Sequence, residues 1–242
     1  MADHTASNEQ VEQPQGQGET EAPRFVQFLF FKVDPAWRRL PGEERERGKR
    51  EFAQVVERAT GVKTFTYSTL GLKADADLML WRIATTLDEL QEMLSRLLRT
   101  GLGAYLQITH SLFGMTRPSQ YTRRRTTQEQ AIDEQERQRY LTVYPFSKTT
   151  EWYLMSKEAR QGMMNEHMRV GHEYAAVRQV LLYTTGLDDQ EFVVAYETDD
   201  LYSYQGLLIA LRSTEARRYT LKDQPIFTCV YRGLHQSLEL LG

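Results

Sequence analysis

His167 has the most distinctive chemistry in this sequence, because it lies on an apolar helical face. The spacing around it predicts a helix, one face of which carries His167 with Met163, Met164, Val170, Gly171 and Tyr174. An imidazole there is either a histidine of the core or a ligand for a group held in an apolar pocket. His172 points to a different face of the same helix. The sequence has neither an H-E-x-x-H pattern nor a cysteine and histidine cluster, which argues against a zinc site.

The composition is that of an ordinary globular chain. The 242 residues are 40% hydrophobic and 26% charged, and the net charge of −3 does not call for a nucleic-acid partner. A single cysteine, Cys229, excludes an intrachain disulfide and suits a reducing, cytoplasmic location. No apolar run is long enough to predict a membrane span. Residues 1–23 are rich in Gln, Glu, Gly and Thr and lack the apolar centre of a signal peptide, which predicts a disordered N-terminal tail.

The chain repeats itself at an offset of 115 positions, the separation of Trp37 from Trp152 and of Gly71 from Gly186. Self-similarity at this length is typical of a duplicated domain rather than of a short-period repeat. It divides the chain into an N-terminal half over 24–115 and a C-terminal half over 139–242. The stretch 116–138 between them is dense in Arg, Gln, Glu and Thr, which predicts an exposed linker.

Both halves follow the order β-α-β-β-α-β, which is the ferredoxin-like unit. In the first half the predicted strands are 25–33, 64–69, 78–83 and 107–113, and the predicted helices are 43–60 and 86–100. In the second half the predicted strands are 140–146, 179–184, 191–198 and 225–232, and the predicted helices are 157–174 and 200–213. The predicted fold class is therefore α+β, with duplicated ferredoxin-like units forming a dimeric α+β barrel of antiparallel sheets and outer helices.

The two halves differ at the position of the histidine. Phe52 stands 115 positions before His167, so the first half has an apolar residue at the equivalent place. The fold itself therefore does not require an imidazole there. This difference favours a ligand more than the spacing alone does, and it leaves a core histidine as an open alternative.

Several segments of the second half resemble the chlorite dismutase-like superfamily, and within it the coproheme decarboxylases of haem biosynthesis. These segments are Tyr144-Pro145-Phe146-Ser147-Lys148, Glu151-Trp152-Tyr153-Leu154-Met155, Met163-Met164-x-x-His167, the turn Gly186-Leu187-Asp188-Asp189 after Tyr183, and Ser213-Thr214-Glu215-Ala216-Arg217-Arg218. The resemblance extends over about 24–242, and the duplicated plan agrees with it.

The resemblance implies that His167 is the proximal ligand of a porphyrin iron. It also implies that Glu215 hydrogen-bonds the other ring nitrogen of His167, as metal-bound histidines usually require. Trp152 and Met164 are placed among the cofactor-binding residues by the same resemblance. Without it, Glu215 is better explained as a solvated charge at the end of a helix.

Tyr144 and Lys148 share one face of an extended strand, because their positions are in phase. By resemblance Tyr144 is the redox-active tyrosine of the coproheme decarboxylases, and Lys148 binds a propionate. Taken alone, the tyrosine is also a good strand residue and the lysine an ordinary solvated charge. Gln179 falls where chlorite dismutases have a distal arginine, if one residue is deleted after Tyr174. A neutral amide at this cofactor-binding position argues against chlorite chemistry.

The resemblance implies that iron-coproporphyrin III (coproheme) is both substrate and cofactor, with hydrogen peroxide as the oxidant and haem b as the product. It further implies a homopentamer and transient contact with a ferrochelatase. A chlorite dismutase and a non-catalytic haem-binding or peroxidase-like paralogue are the alternatives. The propionate-binding arginines are not evident from the resemblance, and the candidates are Arg123, Arg124, Arg125 and Arg137.

Overall fold

The computed structural model describes residues 22–122, 132 and 134–242. Nearly all of the predicted tail, 1–23, lies outside these residues, and so do Arg123, Arg124 and Arg125. None of the described helices is both long and apolar enough to cross a bilayer.

The N-terminal half contains four strands and two main helices in the predicted order. They are β1 (Phe25–Val33), α1 (Gly42–Glu57), β2 (Val62–Lys73), β3 (Ala76–Ala84), α2 (Leu87–Leu98) and β4 (Leu106–Met115). The start of α2 is set by a capping box, in which the Thr86 side chain accepts from the Glu89 backbone N–H and the Glu89 carboxylate accepts from the Thr86 N–H. Gly71, in the predicted turn, has a φ of 76°, a conformation that favours glycine.

The C-terminal half repeats this order with three additional short elements. It consists of β5 (Tyr140–Lys148), α3 (Thr150–Leu154), α4 (Lys157–His172), β6 (Arg178–Tyr183), β7 (Phe192–Thr198), α5 (Leu201–Arg212), β8 (Thr220–Lys222), β9 (Phe227–Tyr231) and α6 (Leu234–Glu239). The additions that the sequence did not predict are α3, β8 and α6. Gly186 has the same φ of 76° as Gly71, which supports the equivalence of the two halves.

All main strands form one closed antiparallel sheet. The strand order is β4-β1-β3-β2 in the first half and β9-β5-β7-β6 in the second. The halves join along two short seams, where β2 pairs with β9 and β4 pairs with β6. Eight strands thereby close into a ring, and β8 is attached to the end of β5. The predicted fold of duplicated ferredoxin-like units is confirmed.

Alternation along the strands creates an inner and an outer packing layer. In β1, Val26, Phe28 and Phe30 belong to the cluster inside the ring, whereas Leu29 and Phe31 belong to the cluster beneath the helices. Both layers are closely packed in the first half. The outer layer there also receives Leu238 and Leu241, which α6 brings back from the far end of the chain.

The equivalent helices α1 and α4 pack differently against the sheet. Each has 16 residues, but α1 buries Phe52 completely while no residue of α4 is buried. Trp37, also at 0% exposure, fills the remaining space beneath the helices of the first half. In the second half α4 contributes no buried residue, which leaves space between this helix and the strands.

The stretch between the halves is not wholly exposed, contrary to the prediction of an exposed linker. Of its described residues, Ile132 is 2% exposed and joins the cluster inside the ring. The buried Arg137 guanidinium lies 3.3 Å from the Glu197 carboxylate and 4.5 Å from the ring centroid of Phe65. Arg137 is therefore committed to the structure of the ring and does not line the cavity described below.

Candidate active site

A cavity of about 250 Å³ lies between the helices α4 and α5 and the outer faces of β5, β6 and β7. Six of the seven site residues that the sequence suggested line it together: Tyr144, Lys148, Trp152, Met164, His167 and Gln179. They come from β5, α3, α4 and β6, so the tertiary fold and not the local sequence brings them together. Much of the remaining lining is apolar, including Phe146, Leu181, Phe192, Val194 and Leu208.

His167 presents a neutral imidazole to this cavity. Burial, reinforced by the nearby Lys148 ammonium, lowers the pKa of His167 to about 4. One ring nitrogen therefore carries a free lone pair at neutral pH, which is the form that binds a metal. Among the described residues no group of three histidines, cysteines or carboxylates could hold a metal ion.

Tyr144 is 8% exposed and faces the cavity from β5. Burial, together with the neighbouring Tyr196, raises the pKa of Tyr144 well above its usual value. The phenol therefore stays protonated at neutral pH. A protonated phenol can donate a hydrogen atom, because the loss of an electron is then coupled to the loss of the proton.

Lys148 lies on the same side of the strand as Tyr144, as the phase of the two positions predicted. Its ammonium is 4.4 Å from the ring centroid of Trp152 and donates to the Ala216 carbonyl at 3.3 Å. Burial and the positive charge of Arg217 lower the pKa of Lys148 to about 8. The Lys148 ammonium is charged at neutral pH although its burial disfavours the charge. A carboxylate that enters the cavity would offset this desolvation cost.

Three arginines that the sequence analysis did not select also line the cavity. They are Arg160, Arg212 and Arg217, and among the residues that the structure describes Asp223 is the only carboxylate in the lining. Arg217 is 2.6 Å from this carboxylate and Arg212 is 3.9 Å from it. Because four cationic side chains, including Lys148, share the cavity with one carboxylate, the site favours an anion. Arg217 lies within a segment already noted for its resemblance, which was the available signal.

The remaining predicted residues take different positions in the lining. Gln179 is opposite Tyr196 in the register of β6 and β7, and its half-buried amide adds a neutral polar group. Trp152 is 3% exposed and serves as the aromatic surface beneath the Lys148 ammonium. Met164 lies one turn of α4 before His167 and extends the apolar face on which the imidazole stands.

Glu215 is the one predicted site residue that does not line the cavity. Its side chain is 57% exposed, and its carboxylate is 3.3 Å from the Arg218 guanidinium. The carboxylate that reaches across from α4 is that of Glu166, which accepts from the Glu215 backbone N–H at 3.0 Å. The structure therefore gives Glu215 a different partner, and its hydrogen bond to His167 stays a prediction.

The fold and the cavity define an α+β protein with a duplicated ferredoxin-like plan and a helix-covered cavity in its second half. The family model for chlorite dismutase matches residues 45–232. The chain is 32% identical over 209 residues to a coproheme decarboxylase from Mycolicibacterium smegmatis, covering 85% of this chain and 88% of that protein. The chain belongs to the chlorite dismutase family.

Solved structures agree with this assignment. A chlorite dismutase from Candidatus Nitrospira defluvii in complex with imidazole superposes with a TM-score of 0.83 at 29% identity, covering 92% of this chain and 96% of that one. An arginine-to-alanine variant of the same enzyme gives a TM-score of 0.84, again at 29% identity and with the same coverage of 92% of this chain and 96% of that one. The similarity thus extends over both halves of the duplicated fold.

Proposed function

We propose that this protein is a coproheme decarboxylase, which converts two propionates of iron-coproporphyrin III to vinyl groups and yields haem b. The observation that carries the proposal is the meeting of Tyr144, Lys148 and His167 in one cavity. A phenol that donates a hydrogen atom, a cation that binds a carboxylate and a neutral imidazole are the three groups that such a reaction needs.

The cavity suits a porphyrin with carboxylate side chains. Its apolar lining fits the flat macrocycle, and its cations, Lys148, Arg160, Arg212 and Arg217, fit the propionates. His167 would bind the iron, and Met164 would contact the ring on the same side. When bound with hydrogen peroxide as co-substrate, the iron porphyrin would supply the oxidising power that the protein itself lacks.

The residues of the chain would divide the remaining work between them. Tyr144 would give up its phenolic hydrogen atom when the site is oxidised and would then remove a hydrogen atom from the propionate β-carbon, which is attached to the porphyrin ring. The resulting carbon radical would lose one further electron and its carboxylate would leave as carbon dioxide, which forms the vinyl group. Lys148 holds the propionate within reach of the Tyr144 hydroxyl, because the two side chains line the cavity from the same strand.

A second candidate function is chlorite dismutation, which the structural similarity to a chlorite dismutase supports. Gln179 favours the decarboxylase instead, because a neutral amide stabilises an anionic oxidant less than a cation does. The proposal also includes a cytoplasmic location, a homopentamer and transient contact with a ferrochelatase. A non-catalytic haem carrier is the third possibility.

The deciding experiment loads the protein with coproheme, adds peroxide and identifies the porphyrins by mass spectrometry. The proposal predicts loss of one and then two carboxyl groups, with haem b as the end product. Tyr144→Phe should bind coproheme with similar affinity and form no product. Tyr140→Phe is the matched control, since Tyr140 lies in phase on the same strand but outside the cavity. Evolution of oxygen from chlorite would support the dismutase, and neither reaction would indicate a carrier.

A further inference from the structure

Tyr144 is the first of three tyrosines that run from the cavity to α5. The ring centroids of Tyr144 and Tyr196 are 6.2 Å apart with an interplanar angle of 29°. The ring centroids of Tyr196 and Tyr204 are 5.5 Å apart with an angle of 49°. Tyr196 is 6% exposed, whereas Tyr204 on α5 is half-buried. The three rings therefore connect the cavity with a helix on the protein surface.

The polar groups of these tyrosines also lie near one another. The Tyr144 and Tyr196 side chains are close enough to influence each other's pKa, and burial raises the pKa of both. The Thr142 side chain is near Tyr204, and Thr142 is directly opposite Tyr196 in the register of β5 and β7. A polar side chain is thus near each ring when that ring loses its proton.

The first half shows that the fold does not require these tyrosines. The pairing of Thr142 with Tyr196 corresponds to that of Gln27 with Arg82, so Arg82 is the equivalent of Tyr196. The same register makes Leu29, two residues after Gln27, the equivalent of Tyr144.

The third position follows from the helices. Leu90 is the fourth residue of α2, as Tyr204 is the fourth residue of α5, and both helices have 12 residues. The first half therefore has Leu29, Arg82 and Leu90 at these three positions, and none of them has an aromatic ring that could be oxidised. The half with the cavity has a tyrosine at each of the three.

We propose that Tyr144, Tyr196 and Tyr204 form a one-electron relay that carries surplus oxidising equivalents from the cavity to the surface of α5. The purpose of this relay rests on the proposed function, which supplies a peroxide-derived oxidant at Tyr144. When no propionate is within reach, the relay removes the oxidising equivalent before it damages the porphyrin or the protein.

The steps of the relay balance in electrons and protons. The Tyr144 phenoxyl radical takes an electron from the adjacent Tyr196 ring and the phenolic proton that Tyr196 releases, so that Tyr144 is restored and Tyr196 becomes the radical. Tyr196 then takes an electron from the adjacent Tyr204 ring and the phenolic proton that Tyr204 releases, so that Tyr204 becomes the radical. A soluble one-electron reductant, such as a thiol or ascorbate, finally gives Tyr204 an electron and a proton.

The relay can be tested in the full-length chain without any porphyrin. Tyr202, which is 86% exposed and lies two residues before Tyr204, is replaced by cysteine and labelled with a ruthenium photo-oxidant. Cys229 is fully buried and does not compete for the label. 3-Aminotyrosine is introduced at position 144 as a trap, because it is more easily oxidised than tyrosine. Electron paramagnetic resonance after a flash then measures the radical yield at the trap.

The relay predicts that Tyr196→Phe and Tyr204→Phe each lower the radical yield at the trap by about tenfold or more. A transfer that is tenfold slower needs only a modest increase in its activation barrier. Tyr231→Phe is the matched control, since its ring packs on Tyr67 away from the relay, and it should leave the yield unchanged. Equal radical yields in all variants, with unchanged far-ultraviolet circular dichroism, would show that the three tyrosines only pack against one another. This result would overturn the proposal.

A second arm uses the coproheme-loaded protein with repeated additions of peroxide and measures bleaching of the porphyrin and oxidation of Tyr204 by mass spectrometry. Tyr196→Phe should bleach faster and should lose the oxidation at Tyr204. A relay that operates in the first arm while no haem b forms in the second would refute the proposed function alone. Haem b formation with no radical transfer in the first arm would refute the relay alone.

Discussion

Affinity for coproporphyrin should fall steeply above pH 8, because Lys148 must be charged to bind a propionate. The pKa of Lys148 in the structure is about 8, against an ordinary value of 10.5. At about 1.4 kcal/mol for each unit, keeping the ammonium charged in the empty site costs roughly 3 kcal/mol. A propionate beside the ammonium offsets this cost and returns the pKa of Lys148 towards its ordinary value.

The direction and size of the change in affinity with pH follow from the difference between these two pKa values of Lys148. Below pH 8 the ammonium is already charged in the free protein, and affinity does not change with pH. Above pH 8 binding must also take up a proton, so affinity falls by up to about tenfold for each pH unit and by at most roughly 300-fold in total. His167 is already neutral throughout this range and adds no slope of its own.

Fluorescence titration with metal-free coproporphyrin III between pH 6.5 and 10 measures this directly and avoids hydroxide binding to iron. Lys148→Arg should bind coproporphyrin with an affinity that does not fall above pH 8, because its guanidinium keeps the charge. Lys148→Met should bind weakly at every pH, and its affinity should not change with pH either. If Lys148→Met retained the slope of the parent protein, another group would be responsible and the role of Lys148 in binding would be wrong.

Three further predictions concern the iron side and the distal side of the cavity. His167→Ala should lose the Soret-shifted coproheme complex, whereas His172→Ala should keep it because that ring is exposed; an unchanged absorption spectrum in the His167 variant would refute ligation. If Glu215 leaves Arg218 and hydrogen-bonds His167 once iron is bound, Glu215→Gln should raise the reduction potential of the iron, as measured by spectroelectrochemistry. An unchanged potential would show that Glu215 is only a surface charge. The haem b-loaded protein should evolve negligible oxygen from chlorite at an oxygen electrode, and Gln179→Arg should increase that rate; sustained turnover by the parent protein would instead favour the dismutase.

The repeated elements could be predicted from the sequence because each carries a long periodic pattern. The strand predicted over 25–33 is found as Phe25–Val33, and the helix predicted over 157–174 ends two residues earlier, at His172. The additional elements α3, β8 and α6 have three to six residues, too few for a period to be recognised.

The cavity was predictable only in part, for a physical reason. Residues within one strand or helix, such as Tyr144 and Lys148, have relative orientations that local geometry determines. Arg212 and Asp223 reach the cavity from α5 and from the loop after β8, and no local pattern distinguishes them from solvated charges. For the same reason the sequence did not show that Arg137, a candidate for binding a propionate, instead forms a buried ion pair with Glu197.

The last helix has a consequence for how this molecule loses its structure. Leu238 and Leu241 complete the outer layer of the first half, and the ammonium of Lys49 on α1 is 2.9 Å from the carboxylate of Glu239 on α6. The cluster inside the ring also contains residues of both halves, so neither half has a complete hydrophobic core of its own. Unfolding of the two halves should be coupled in one cooperative transition, and a chain cut between them should yield fragments that fold only when mixed.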